Sequence, residues 1–143
     1  MPDRKASAVW EGGLKDGKGT FKGQTGAISG QYNFSSRFEE GTGSNPEELL
    51  AAAHAACFSM ALSAQLEGNG TPPTRVETDA VCTVEKAGAG FKITTMRLTT
   101  RATVPKIDAA KFQELAIAAR DGCPVSQALK GNLNVVLDAS LTS

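Results

Sequence analysis

The sequence predicts an α+β domain, and three observations predict it. Short apolar runs divided by glycine open the chain, a long capped helical stretch and a shorter one lie on either side of an alternating hairpin, and strands and helices fall in blocks. At 143 residues the chain can bury a core without disulfide staples, and we read it as one domain over residues 1–143.

The elements follow in order. Ala8-Val9-Trp10-Glu11 and Thr20-Phe21-Lys22, set between Gly12-Gly13, Asp16-Gly17 and the Gly23 to Gly30 stretch, predict a small antiparallel meander that reaches Tyr32. Phe34 to Ser44 is polar and contains glycine, and reads as a loop carrying Arg37. A long helix then opens with Asn45 as N-cap, Pro46 at the first helical position and Glu48 placed to complete a capping box. It runs to about Glu67 and stops at Gly68-Asn69-Gly70, with Leu and Ala on nearly every side, so burial over most of its circumference is expected to need a second subunit. Val76 to Glu85 alternates, with Val76, Ala80, Cys82 and Val84 inward. Ala87-Gly88-Ala89-Gly90 turns the chain and Phe91 to Val104 returns as the antiparallel partner. Asp108 caps a second helix through Arg120, closed by Gly122. Pro124 makes Cys123 the N-cap of a short third helix ending near Gly131, and Leu133, Val135, Leu137 and Ala139 finish as a strand.

Composition narrows the partners. Fifteen Lys and Arg balance fifteen Asp and Glu without clustering, which excludes an electrostatic footprint for nucleic acid or an anionic membrane. The apolar run Leu49 to Ala64 is broken by His54, Ser59 and Ser63 and reads as too short for a membrane span, and no secretory signal follows Met1. A cytoplasmic setting is expected, in which three cysteines stay reduced and any disulfide is transient. No cofactor and no metal are expected.

Two cysteines in unlike settings carry the chemistry. Cys57 lies in an apolar helical run, where a thiol is by itself a small inert hydrophobe unless a cation such as Arg37 or His54 reaches it. Cys123 lies at a helix N-terminus, where unpaired N–H groups favour thiolate, so local chemistry ranks it as the attacking sulfur. Cys82 is in phase with a core face and is given no role. His54, three residues before Cys57, reads as a packing histidine, with a Cys-His nucleophile as the alternative. Glu48 has the capping position, which leaves Glu47 free to point elsewhere. Ten helical residues set Glu47 about 15 Å from Cys57, so a shared site would take one of them from a second copy.

The segments Asn45-Pro46-Glu47-Glu48-Leu49, Ala53-His54-Ala55-Ala56-Cys57-Phe58-Ser59-Met60-Ala61-Leu62 and Gly122-Cys123-Pro124-Val125-Ser126 closely resemble the OsmC family of thiol peroxidases, which includes the organic hydroperoxide resistance proteins. Ser36-Arg37-Phe38-Glu39 and His54 look more like its OsmC branch. The resemblance implies an intertwined homodimer with antiparallel sheets wrapped around central helices and sites at the subunit interface. It implies Cys57 as peroxidatic thiol, Cys123 as resolving thiol, and Arg37 and Glu47 serving the reactive sulfur, which reverses the local ranking of the cysteines. The implied partners are an organic hydroperoxide and a dithiol reductant of the dihydrolipoyl type, with hydrogen peroxide a poorer substrate, in a role in oxidative or osmotic stress defence. In this reading Glu47 holds the Arg37 guanidinium in a bidentate pair, and Phe58, Met60 and Leu50 make an apolar pocket beside the thiol. The rival readings are a disulfide switch without turnover, a Cys-His hydrolase and a structural dimer.

Overall fold

The computed structural model describes residues 2–142. The chain forms two compact units, the first ending at Leu49 and the second beginning at Leu50.

In the first unit, β1 (Ala6–Glu11), β2 (Lys18–Gly23) and β3 (Ser29–Tyr32) make the expected antiparallel meander, in the order β1-β2-β3. Gly19 sits opposite both Trp10 and Tyr32. A Cβ there would stand 2.7 Å from the Trp10 ring and 2.6 Å from the Tyr32 ring, so glycine is what lets these rings meet at 5.4 Å between centroids. The stretch read as a loop begins instead with a short helix, α1 (Phe34–Phe38). The Asn33 side chain accepts the Ser36 N–H at 2.8 Å, and the Ser36 hydroxyl accepts the Asn33 N–H at 2.9 Å. This reciprocal cap stabilises a single turn that polar composition alone disguises.

The long helix α2 (Pro46–Gly68) starts as the sequence predicts, with the Asn45 side chain accepting the Glu48 N–H at 2.7 Å. The other half of the predicted capping box is replaced, because the Glu48 carboxylate accepts the Ser44 hydroxyl. At 23 residues α2 is, by length and composition, long and apolar enough to cross a membrane, contrary to the reading of its interrupted run. It is nonetheless a protein-packed helix: His54, Phe58, Leu62 and Leu66 form a fully buried row four residues apart. Burial around most of the circumference is not reached within one chain, since Ala52, Ala53, Ala56 and Met60 are exposed.

The second unit also contains β4 (Arg75–Ala87), β5 (Gly90–Thr103), α3 (Ala109–Gly122), α4 (Pro124–Leu129) and β6 (Asn134–Thr142). β4 and β5 are the predicted hairpin, while β6 joins β5 in parallel. A parallel neighbour needs a crossover, and α3 with α4 supplies it. The core joins Phe58, Leu62 and Leu66 of α2 to Met96, Leu98 and Ala102 of β5 and to Phe112, Ala116 and Ala119 of α3. Cys82 packs against this cluster from β4, as its phase in the strand predicts.

Candidate functional site

Cys123 stands where two helices meet. Its N–H donates to the Ala119 carbonyl at 3.0 Å, closing α3, and its carbonyl accepts the Gln127 N–H at 3.0 Å, opening α4. The following Pro124 disfavours helical backbone at the preceding residue, and Cys123 accordingly has ψ of 128°. That break bends the chain between α3 and α4, and the Cys123 side chain is fully buried.

Cys57, half-buried on α2, meets it there. The two Sγ atoms lie 2.7 Å apart and are hydrogen-bonded, although 66 positions separate the residues in sequence. Both are thiols in this structure. The distance exceeds a disulfide bond of about 2.05 Å by well under 1 Å, so closure needs only a small movement.

Burial pushes the Cys57 thiol above its ordinary range, and the adjoining Cys123 sulfur adds to this. The Val125 N–H, in the first turn of α4, opposes both by hydrogen-bonding the Cys57 sulfur. The sequence placed this amide terminus behind Cys123, but Cys123 makes no side-chain cap bond. That helix terminus therefore meets Cys57, across the fold, rather than its own N-cap residue Cys123.

His54 does not partner Cys57. Its Nε2 lies 2.7 Å from the Ser126 Oγ, and its Nδ1 has no hydrogen-bond partner among the described residues. Burial lowers its pKa and so favours the neutral imidazole. Ser126 is the residue that sequence reasoning passed over. Its signal is the spacing of three from Cys123, matching the spacing of His54 from Cys57.

In the first unit, Arg37 at the last turn of α1 meets Glu47 at the first turn of α2. Arg37 Nε donates to Glu47 Oε1 at 3.0 Å, with 40% of the Arg37 side chain exposed and the Glu47 side chain at 7%. The pair is not bidentate as expected: Glu47 Oε2 is buried without a hydrogen-bond partner among the described residues. The Arg37 guanidinium carbon lies 5.0 Å from the Phe38 ring centroid, a cation–π contact beside the ion pair. The expected apolar trio also separates. Phe58 is wholly buried in the core while Met60 is 78% exposed, because two positions along a helix turn the side chain by about 200°. Leu50 is half-buried against the core. Among the described residues no group of acidic, His and Cys side chains has the arrangement of a metal site.

Comparison with known proteins adds a consistent set of relatives. The family described as OsmC-like protein matches residues 39–138. A protein named Peroxiredoxin OsmC from Escherichia coli (strain K12) is 48% identical over 141 residues, covering 98% of this chain and 97% of the relative. The organic hydroperoxide resistance protein OhrB of Bacillus subtilis (strain 168) is 38% identical over 98 residues, covering 68% of this chain and 70% of the relative. The crystal structure of OhrB from Bacillus subtilis superposes with a TM-score of 0.71 at 28% identity, covering 94% of this chain and 97% of that one. An OsmC-like protein from Mycoplasma pneumoniae, at 14% identity, shares the fold with a TM-score of 0.75 and 99% coverage of each chain.

Proposed function

Since this chain belongs to the OsmC-like protein family, we propose that it is a two-cysteine peroxidase that reduces organic hydroperoxides to alcohols. The observation that carries the reading is the meeting of Cys57 and Cys123 at 2.7 Å. Two thiols brought together from distant segments can cycle between dithiol and disulfide.

In this mechanism the Cys57 thiolate attacks the peroxide O–O bond. The O–O bond breaks, Cys57 gains the near oxygen as a sulfenic acid, and the far oxygen takes a proton and leaves as the alcohol. Cys123 sulfur then attacks Cys57 sulfur, the S–O bond breaks, and the oxygen leaves as water with the Cys123 proton. An external dithiol, itself oxidised to a disulfide, restores both thiols by exchange.

The Val125 N–H alone does not offset burial at Cys57, so the thiolate calls for a cation. Arg37, steadied by Glu47, is the proposed one, supplied to Cys57 from a second copy in a homodimer, with the two compact units acting as one domain. Its guanidinium also neutralises charge developing on the departing oxygen. The relatives named for organic hydroperoxide resistance support an organic substrate and a role in peroxide defence. A reducing cytoplasm fits a disulfide that forms only in turnover.

The test is steady-state consumption of cumene hydroperoxide with a dithiol reductant. Cys57→Ser is expected to abolish turnover, and Cys123→Ser to abolish it or make it depend on a monothiol. Wild-type protein that forms one disulfide and stops would overturn the peroxidase reading in favour of a switch.

A further inference from the structure

We propose that His54 and Ser126 are positioning residues that hold Cys123 within reach of Cys57 while the disulfide closes. The proposal rests on the peroxidase reading and concerns its resolving step.

The geometry is that of two rungs between α2 and the segment from Cys123 to Ser126. His54 pairs with Ser126 at 2.7 Å, and Cys57 pairs with Cys123 at 2.7 Å. Each strip spaces its two residues by three positions, and the pairing runs in opposite senses, so the rungs stand about one helical turn apart. Only the cysteine rung contains redox atoms.

Oxidation of Cys57 adds an oxygen to its sulfur and so alters the sulfur-sulfur contact of the reduced chain, in which Cys123 donates to Cys57. The His54-Ser126 rung is untouched by that change. His54 is fully buried and Ser126 is 7% exposed, so water does not compete for the bond. It is also the sole hydrogen bond of the imidazole among the described residues, since Nδ1 has none. While Cys57 is a sulfenic acid, this rung keeps the first turn of α4 seated on α2. Closure then forms the S–S bond, breaks the S–O bond and releases water, which carries the Cys123 proton. Without the rung the same step loses pre-orientation, and its effective molarity falls.

The experiment separates sulfenic acid formation from closure. Reduced full-length protein receives one equivalent of cumene hydroperoxide and is quenched over time with dimedone, and intact mass resolves thiol, Cys57 adduct and disulfide. Ser126→Ala and His54→Gln are expected to consume peroxide within about threefold of wild type. They should close the disulfide about tenfold more slowly or worse, with the adduct accumulating. Ser126→Thr, which keeps the hydroxyl, should restore fast closure, and the double variant should be no slower than the slower single one. Unchanged peroxide consumption shows that a variant is folded. Closure at the wild-type rate in Ser126→Ala, or slowing that Ser126→Thr does not rescue, would overturn the proposal. Failure of wild type to consume peroxide, or no adduct on Cys57 in Cys123→Ser, would instead overturn the peroxidase reading.

Discussion

At the scale of single residues, burial and charge set opposite demands on Cys57. Its thiol is pushed up by burial, so in Arg37→Ala the rate of Cys57 oxidation should keep rising with pH through and beyond the ordinary thiol range. Loss of the guanidinium should also lower kcat/KM for cumene hydroperoxide by about 10²-fold or more, read by stopped-flow. An Arg37→Ala enzyme with an unshifted pH profile would remove Arg37 from the site. His54 gives a cleaner pH signal, because the chain has one histidine. Its folded-state pKa is lowered from 6.5 by burial, so the unfolded chain binds the proton more tightly. The corresponding stability is fully present above the unfolded value and is lost as pH falls through 6.5 toward the folded one. Urea midpoints measured at about pH 7.5 and about pH 5 should therefore fall less in His54→Gln than in wild type.

At the scale of elements, α2 is informative because its two faces disagree. The row His54, Phe58, Leu62 and Leu66 is buried, while Ala52, Ala53, Ala56 and Met60 form an exposed apolar face. An apolar helix face left in water is costly, and a second copy of the chain is the occupant the proposed dimer supplies. Met60→Lys should weaken that dimer and shift the sedimentation equilibrium toward single chains at low micromolar concentration. A wild-type protein that sediments as one chain would end the dimer proposal. The α3-α4 joint makes a different point. Pro124 sets the backbone of Cys123, and after that bend the Val125 amide of α4 meets Cys57 across the fold. The local rule placed a free amide at this helix terminus, but the amide bonds the Cys57 sulfur and the Cys123 side chain makes no cap bond.

At the scale of the whole chain, the cysteine pair spans 66 positions and ties α2 to the crossover between β5 and β6. A disulfide there constrains the unfolded chain, which the loop-entropy model puts at about 4 kcal/mol. The oxidised protein should therefore melt several degrees above the reduced form in paired thermal scans. Equal melting temperatures would mean that native-state strain cancels the gain. The same crossover makes the β5-β6 pairing parallel, a feature that the alternation of Leu133, Val135, Leu137 and Ala139 leaves undetermined. Alternation defines which face of a strand is inward, but the partner and direction depend on where the connecting helices bring the chain back.

The amino-acid sequence by itself determined the element order, the starts of α2 and α3 at Asn45 and Asp108, the hairpin turn before Gly90 and the inward phase of Cys82. These are set by caps, turn residues and periodicity within a few positions. It also carried the family, through the two cysteine motifs around Cys57 and Cys123. Tertiary structure alone decided that Cys57 and Cys123 touch, that His54 spends its bond on Ser126, and that Glu47 takes Arg37 through one oxygen. The α1 helix lies between these cases. Its Asn33-Ser36 cap is local and legible, but a single turn has too little periodicity to stand out from a polar loop. The rest was illegible for one physical reason: a contact between distant segments depends on how helices bend and pack, and no local pattern records the partner.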